Sequence, residues 1–217
     1  MESGMSSDMN SKTPRLRIAV GLGDSTTAGT PGFFSPREAP PAGRGNPESQ
    51  YAYWLERLCP EWRILNRGVR GQRTDQILQR FDYDVTQFSP ETVILLAGVN
   101  DLHQGRSEES VRDGLRRLVE HALGGGLSVI LCSLLPCNLL GAAAAVQIQR
   151  TNAWIRSYAS HAGVLFCDTY AAVADPADPA RLMESPDEIH PAVAGYKKMA
   201  EALAPVLTAR EKAGGLA

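Results

Sequence analysis

The chain is short of the features that announce several large functional classes. Aromatic residues make up 6% of its 217 residues, and no stretch reads as an amphipathic lid over a long lipid chain. No apolar run is long enough to span a bilayer. The formal charge is −2, with Lys, Arg, Asp and Glu mixed along the chain, so there is no basic stripe for nucleic acid and no strong steering field. Cys59, Cys132, Cys137 and Cys167 show no metal or redox spacing, and two of them lie in or beside apolar runs where a reduced thiol behaves as a small hydrophobe. His103, His121 and His161 are scattered without ligand spacing. The phosphate-loop signature Gly-Lys-Ser/Thr is missing, Gly21-Leu22-Gly23 is followed by Asp24, Ser25 and Thr26 where a dinucleotide fingerprint needs a third glycine, and there is no Gly-x-Ser-x-Gly elbow. These absences leave a small, weakly charged ligand and an activity that needs neither metal nor cofactor.

What is present suits one compact domain. A 43% hydrophobic content supports a sizeable core over residues 15–217. Residues 1–14, rich in Ser, Met, Asn and Gly and without a seven-residue apolar run, are expected to be a disordered leader. With no signal peptide visible, the expectation is cytoplasmic; export with a leader trimmed or replaced is the alternative.

Five apolar runs alternate with helical patterns. Leu16–Leu22, Trp62–Asn66, Glu91–Ala97, Leu127–Leu135 and Val164–Cys167 read as buried strands. Helices are expected from Asn46-Pro47 (Tyr51, Trp54, Leu55 and Leu58 on one face), from a Thr74 cap (Ile77, Leu78 and Phe81), and from a Ser107 cap (Val111, Leu115, Leu118, Val119 and Ala122). Two more are expected over Ala142–His161 and over Ala192–Leu203, the last disturbed near Pro205. Right-handed crossovers then imply an α/β fold, a three-layer αβα sandwich on a five-stranded parallel sheet of order 2-1-3-4-5. The stretch Gly29–Pro47 holds too many Pro and Gly for a helix or central strand; its Phe33, Phe34, Arg37 and Arg44 touch substrate, or the stretch is a plain surface loop.

Four turns carry reactive or polarising groups. Gly23-Asp24-Ser25 follows the first strand and offers an exposed serine on a tight bend. Asp187-Glu188-Ile189-His190-Pro191 offers an imidazole with a carboxylate three residues before it, so Asp187 can orient His190 as the base for Ser25. Asn66-Arg67-Gly68-Val69-Arg70-Gly71 and Gly98-Val99-Asn100-Asp101 each follow a strand, bringing the Gly71 N–H and the Asn100 amide to the same sheet edge as the Ser25 N–H, where an oxyanion would need donors. Taken singly, Ser25 reads as a helix cap, Asn100-Asp101 as a turn signal and Gly71 as a residue at positive φ. The four together, in this order, point to one site. Asp24 and Asp101 are expected to fix their turns by hydrogen bonds to backbone.

On these four blocks, Ser25, Gly71, Asn100 and His190, the sequence resembles the SGNH hydrolases, also called GDSL esterases and lipases, from about Arg17 to Tyr196. Thr26 stands where the family name has Leu, next to the nucleophile without being a catalytic group. The resemblance implies the same three-layer sandwich and hydrolysis of a small-molecule ester through an acyl-enzyme. Its catalytic residues would be Ser25, Asp187 and His190, and its oxyanion hole Ser25, Gly71 and Asn100. The expected substrates are short acyl esters, acetyl to butyryl. The alternatives are a thioesterase or lysophospholipase on the same residues, or a binding module that has lost turnover.

Overall fold

The computed structural model describes residues 16–29 and 46–209; the leader and Phe33, Phe34, Arg37 and Arg44 of the expected substrate loop lie outside them. Strand β1 (Arg17–Gly23) is central, pairing with β2 (Trp62–Gly68) on one side and β3 (Thr92–Leu96) on the other. Strands β4 (Ser128–Cys132) and β5 (Leu165–Cys167) complete an all-parallel sheet in the order β2-β1-β3-β4-β5.

The side-chain alternation of these strands dictates three layers. Val20 and Leu22, Val93 and Leu95, and Val129 and Leu131 enter one core, whereas Ala19, Ile94 and Leu96, and Ile130 and Cys132 enter another. A strand apolar on both faces needs cover on both. The first face is covered by α3 (Thr74–Gln79), α4 (Phe81–Asp84), α6 (Glu108–Gly124) and α7 (Ala142–Ala162). The second is covered by α2 (Tyr51–Leu58), α8 (Thr169–Val173) and α9 (Val193–Thr208). Helix α6 forms as its sequence dictates: the Ser107 hydroxyl accepts from the Ser110 N–H, and Val111, Leu115, Leu118, Val119 and Ala122 are all buried.

Several boundaries differ from expectation for local reasons. Asn46 does cap, accepting from the Glu48 N–H at 3.1 Å, but it caps a short 3-10 turn, Pro47–Ser49; extended Gln50 then restarts the chain, and α2 begins only at Tyr51. That change of phase buries Tyr51, Ala52 and Leu55 and leaves Leu58 46% exposed. Thr74 is not a cap, because its N–H and its hydroxyl both go to the Asp101 carboxylate, at 2.9 and 2.8 Å. Helix α9 continues through Pro205. The ring lies on the exposed side, while Leu203 and Leu207 on either side of it are buried, so packing outweighs the lost hydrogen bond. Two short helices have no signature of their own in the sequence, α5 (Val99–His103) and α8, while α1 (Ser25–Ala28) starts where Ser25 reads as a cap, with Asp24 taking that role.

Where β2 ends, α1 crosses so closely that only glycine fits. A Cβ on Gly68 would lie 2.0 Å from the Ala28 nitrogen and 2.6 Å from the Asp24 carbonyl oxygen, both backbone atoms that cannot swing aside. Gly68→Ala is therefore expected to destabilise the protein by about 1–3 kcal/mol or more, measured by urea unfolding; a loss under about 0.5 kcal/mol would show that α1 and β2 are not in tight contact.

Candidate active site

The order of the sheet reverses between β1 and β3, and the crevice beyond their carboxyl ends is where such sheets bind ligands. Ser25 follows β1 and Asn100 follows β3. At the end of β1 the Asp24 carboxylate accepts from the Thr26 N–H at 3.0 Å and caps α1. Ser25 is therefore the first helical residue, and its hydroxyl goes to His190. Asp24 is buried, and the loss of solvent raises its pKa from 3.8 to about 7, against the hydrogen bonds from Thr26 and with some repulsion from Asp101.

Asp187 and His190 meet Ser25 from the other end of the chain. The Asp187 Oδ1 accepts from the backbone N–H of Ile189 at 3.1 Å and of His190 at 2.8 Å, tying a turn in which Glu188 takes a left-handed conformation with φ 63°. That turn aims the Oδ2 at His190 Nδ1, 2.7 Å away, and puts His190 Nε2 at 2.8 Å from Ser25 Oγ. His190 is 3% exposed. Burial holds its pKa below the ordinary 6.5, outweighing the attraction of Asp187, and Arg70 adds to the depression. Partial burial pushes Asp187 up, but the hydrogen bonds from His190 and Ile189 outweigh it and keep the carboxyl below its usual range. At neutral pH the pair is thus a carboxylate and a neutral imidazole, the tautomer with hydrogen on Nδ1 and a lone pair on Nε2 facing the serine.

Gly71 and Asn100 line the same pocket as Ser25 and His190. Gly71 has φ 76°, and a Cβ there would meet nothing within 4 Å, so the backbone conformation is what calls for glycine while open space lies above it. Its carbonyl accepts from the Gln104 side chain at 3.0 Å, and Gln104 in turn accepts from Arg73 at 2.7 Å. Asn100 Nδ2 donates one hydrogen to the Gln72 carbonyl at 3.1 Å. A side-chain amide carries a second hydrogen. Asp101, fully buried, holds Thr74 as described and so pins α3, and the Gly71 loop before it, to α5. Beneath, the Arg80 guanidinium donates to the Gly23 carbonyl at 2.8 Å, to the Arg67 carbonyl at 2.8 Å and to the Gln72 side chain at 2.6 Å, and pairs with Asp84 at 2.8 Å.

All five residues singled out from the sequence, Ser25, Gly71, Asn100, Asp187 and His190, thus stand together; Asp24 fixes its own turn through the Thr26 N–H, whereas Asp101 binds the N–H and hydroxyl of Thr74 on another segment rather than its own turn. Others were not anticipated. His103, treated above as a scattered histidine, lies on the helix that carries Asn100 and lines the pocket, as do Arg70 and Cys137. The pocket encloses about 170 Å³, and Val99, Leu134, Leu135, Pro136, Leu140 and Ile189 make its apolar wall.

The GDSL-like lipase/acylhydrolase family model matches residues 22–198, from the end of β1 past His190 into α9. The chain belongs to this family. Among solved structures, a G-D-S-L family protein from Desulfitobacterium hafniense DCB-2 superposes with a TM-score of 0.71 at 25% identity, over 87% of this chain and 98% of that one. A GDSL-like lipase from Bacteroides thetaiotaomicron VPI-5482 shares the fold at TM-score 0.67 and 24% identity, covering 91% and 89% of the two chains. An acetylxylan esterase from Geobacillus stearothermophilus does so at TM-score 0.67 and 21% identity, over 87% and 94%. A curated relative, the uncharacterized lipoprotein YqeF of Bacillus subtilis (strain 168), is 29% identical over 127 residues, and the match spans 54% of this chain and 48% of that protein, about half its length. Among the described residues no helix is long and apolar enough to cross a membrane.

Histidine NMR tests the electrostatics of this GDSL-family site without any substrate. His190 is expected to titrate below 6.5, and Asp187→Asn to lower its midpoint further by removing the group that favours the imidazolium. Because the folded state holds this proton less tightly than the unfolded chain, the His190 contribution to stability is present above about 6.5 and is lost as pH falls below it. A midpoint above 6.5 would mean that the carboxylate outweighs burial.

Proposed function

We propose that this chain is a serine esterase that hydrolyses short-chain carboxylic esters, acetyl to butyryl, through an acyl-enzyme. The observation that carries the reading is the unbroken run from Asp187 Oδ2 through His190 to Ser25 Oγ, at 2.7 and 2.8 Å, at the mouth of an apolar-walled pocket. His190 Nε2 takes the hydroxyl proton as Ser25 Oγ bonds to the ester carbonyl carbon. The carbonyl π pair moves onto oxygen, where the Ser25 N–H, the Gly71 N–H and the second hydrogen of the Asn100 amide stabilise it. Collapse breaks the bond to the alcohol oxygen, which leaves with the proton from His190. Water then repeats the cycle on the acyl-enzyme, and Asp187 holds the imidazole tautomer throughout.

Pocket size supports the short-chain part of the reading, since about 170 Å³ is well under the roughly 300–1,000 Å³ of sites that hold drug-sized ligands. The fold relative that is an acetylxylan esterase points the same way. A thioesterase or lysophospholipase would use the same Ser25 and His190 with a different leaving group or a longer chain.

Ser25→Ala is expected to lower ester hydrolysis by roughly 10³-fold or more and to leave the fold intact, because Asp24 rather than Ser25 is the cap and Ala is a good helix former at this position. A fluorophosphonate should label the wild type at Ser25 and not the variant. Activity retained within tenfold would remove Ser25 from the chemistry. In a series of p-nitrophenyl esters, kcat/KM should peak between acetate and butyrate; a maximum at octanoate or beyond would favour the long-chain alternatives. With neutral His190 as the base, the acid limb of kcat/KM should have its midpoint below 6.5, matching the NMR titration of the same residue.

A further inference from the structure

The acyl wall is built from backbone that has run off the sheet. Strand β4 ends at Cys132, and the Ser133 N–H makes the last contact with β5, at 3.1 Å from the Cys167 carbonyl. Leu134, Leu135, Pro136 and Cys137 continue beyond that edge, all buried and all lining the pocket. Buried N–H and C=O groups need partners, and β5 is too short to supply them. A side chain of α7 supplies them at Leu134. Asn152 Oδ1 accepts from the Leu134 N–H at 2.7 Å, and Asn152 Nδ2 donates to the Leu134 carbonyl at 2.9 Å. One planar amide thereby does for Leu134 what a neighbouring strand would do. Farther on, the Leu139 N–H donates to the Glu188 carbonyl at 3.0 Å and Asn138 Oδ1 accepts from the Leu182 N–H at 2.7 Å. The wall is thus pinned at Leu134 by α7 and at Leu139 by the turn that carries Asp187 and His190.

We propose that Asn152 is the positioning residue that sets acyl selectivity, holding the Leu134–Cys137 wall at the depth that fits the chain of a short acyl ester. The inference rests on the esterase reading of Ser25. Asn is suited to the task because it has a donor and an acceptor on one short group; Asp keeps the acceptor and loses the donor, and Ala has neither. When the amide is removed, the Leu134 N–H and C=O must reach water, and the wall shifts to let them. An acetyl group barely extends past the reacting carbonyl and does not feel that shift. A butyryl group does, since its two extra methylenes gain affinity only by packing on the wall, together worth roughly 15-fold.

The experiment compares wild type, Asn152→Ala and Asn152→Asp by kcat/KM on p-nitrophenyl acetate and butyrate, with Tm measured for each. The butyrate-to-acetate ratio is expected to fall roughly tenfold in Asn152→Ala and less in Asn152→Asp, with the acetate value within about threefold of wild type. An unchanged ratio, or a parallel fall on both esters, overturns the proposal and leaves Asn152 a residue of the fold alone. Calorimetric binding of propaneboronic and methaneboronic acid, in which boron stands for the carbonyl carbon of butyryl and acetyl and accepts the Ser25 oxygen, reads the wall without turnover. If the wild type hydrolyses neither ester, the esterase reading fails, and equal affinity for the two boronic acids in wild type and variants would sink the wall proposal separately. Hydrogen exchange in the wild type covers the case of variants that do not fold: the Leu134 amide should be protected, and more so with propaneboronic acid bound. A freely exchanging Leu134 amide would overturn the proposal.

Discussion

One guanidinium holds the loops of this site at fixed separations. Arg80 reaches the last carbonyl of β1, a carbonyl near the end of β2 and the side chain of Gln72, and the carbonyl of that same Gln72 receives the Asn100 amide. The Ser25 turn, the Gly71 loop and the Asn100 turn are thereby tied to one rigid fork, itself paired to Asp84 and mostly buried. A planar group with five donors suits the task where Lys would not, since it satisfies several carbonyls at set angles at once. The sheet brings the three turns to one edge; Arg80 fixes how far apart they stand there. Burial favours the neutral imidazole and hydrogen bonding favours the ionised Asp187, so the polarity of the Asp187-His190-Ser25 run is set by the fold itself.

Layering and strand order were legible in the sequence because they follow from periodicity. Val93 to Leu96 is apolar at every position, as a short strand covered on both faces requires, and five such runs between helical patterns leave few topologies. The five site residues were legible for another reason: Asp187 and His190 are close along the chain, and each of the other three sits in a turn directly after an apolar run. What stayed hidden is the polar scaffolding between segments. Arg80 to Gly23, Asn152 to Leu134 and Thr74 to Asp101 join residues far apart in sequence, and such contacts leave no period and no spacing to read. His103 has no metal-ligand spacing to mark it. It would have stood out as the residue three beyond Asn100 on one short helix. The shifted start of α2 and the continuation of α9 past Pro205 have the same lesson from opposite sides, for extended Gln50 overrides a good cap and buried Leu207 overrides a poor helix former.

The Leu139 to Glu188 hydrogen bond ties the far end of the Leu134–Leu139 segment to the turn that bears His190, whereas its near end at Leu134 is held separately by Asn152. Lengthening the wall by insertion would drag the imidazole away from Ser25. Exchanging a wall side chain such as Leu134 or Leu140 alters the depth of the pocket and leaves the backbone, and hence the imidazole, where it was. On this frame a point substitution on the wall changes the pocket alone, whereas an insertion between Leu134 and Leu139 would displace the turn of His190 as well.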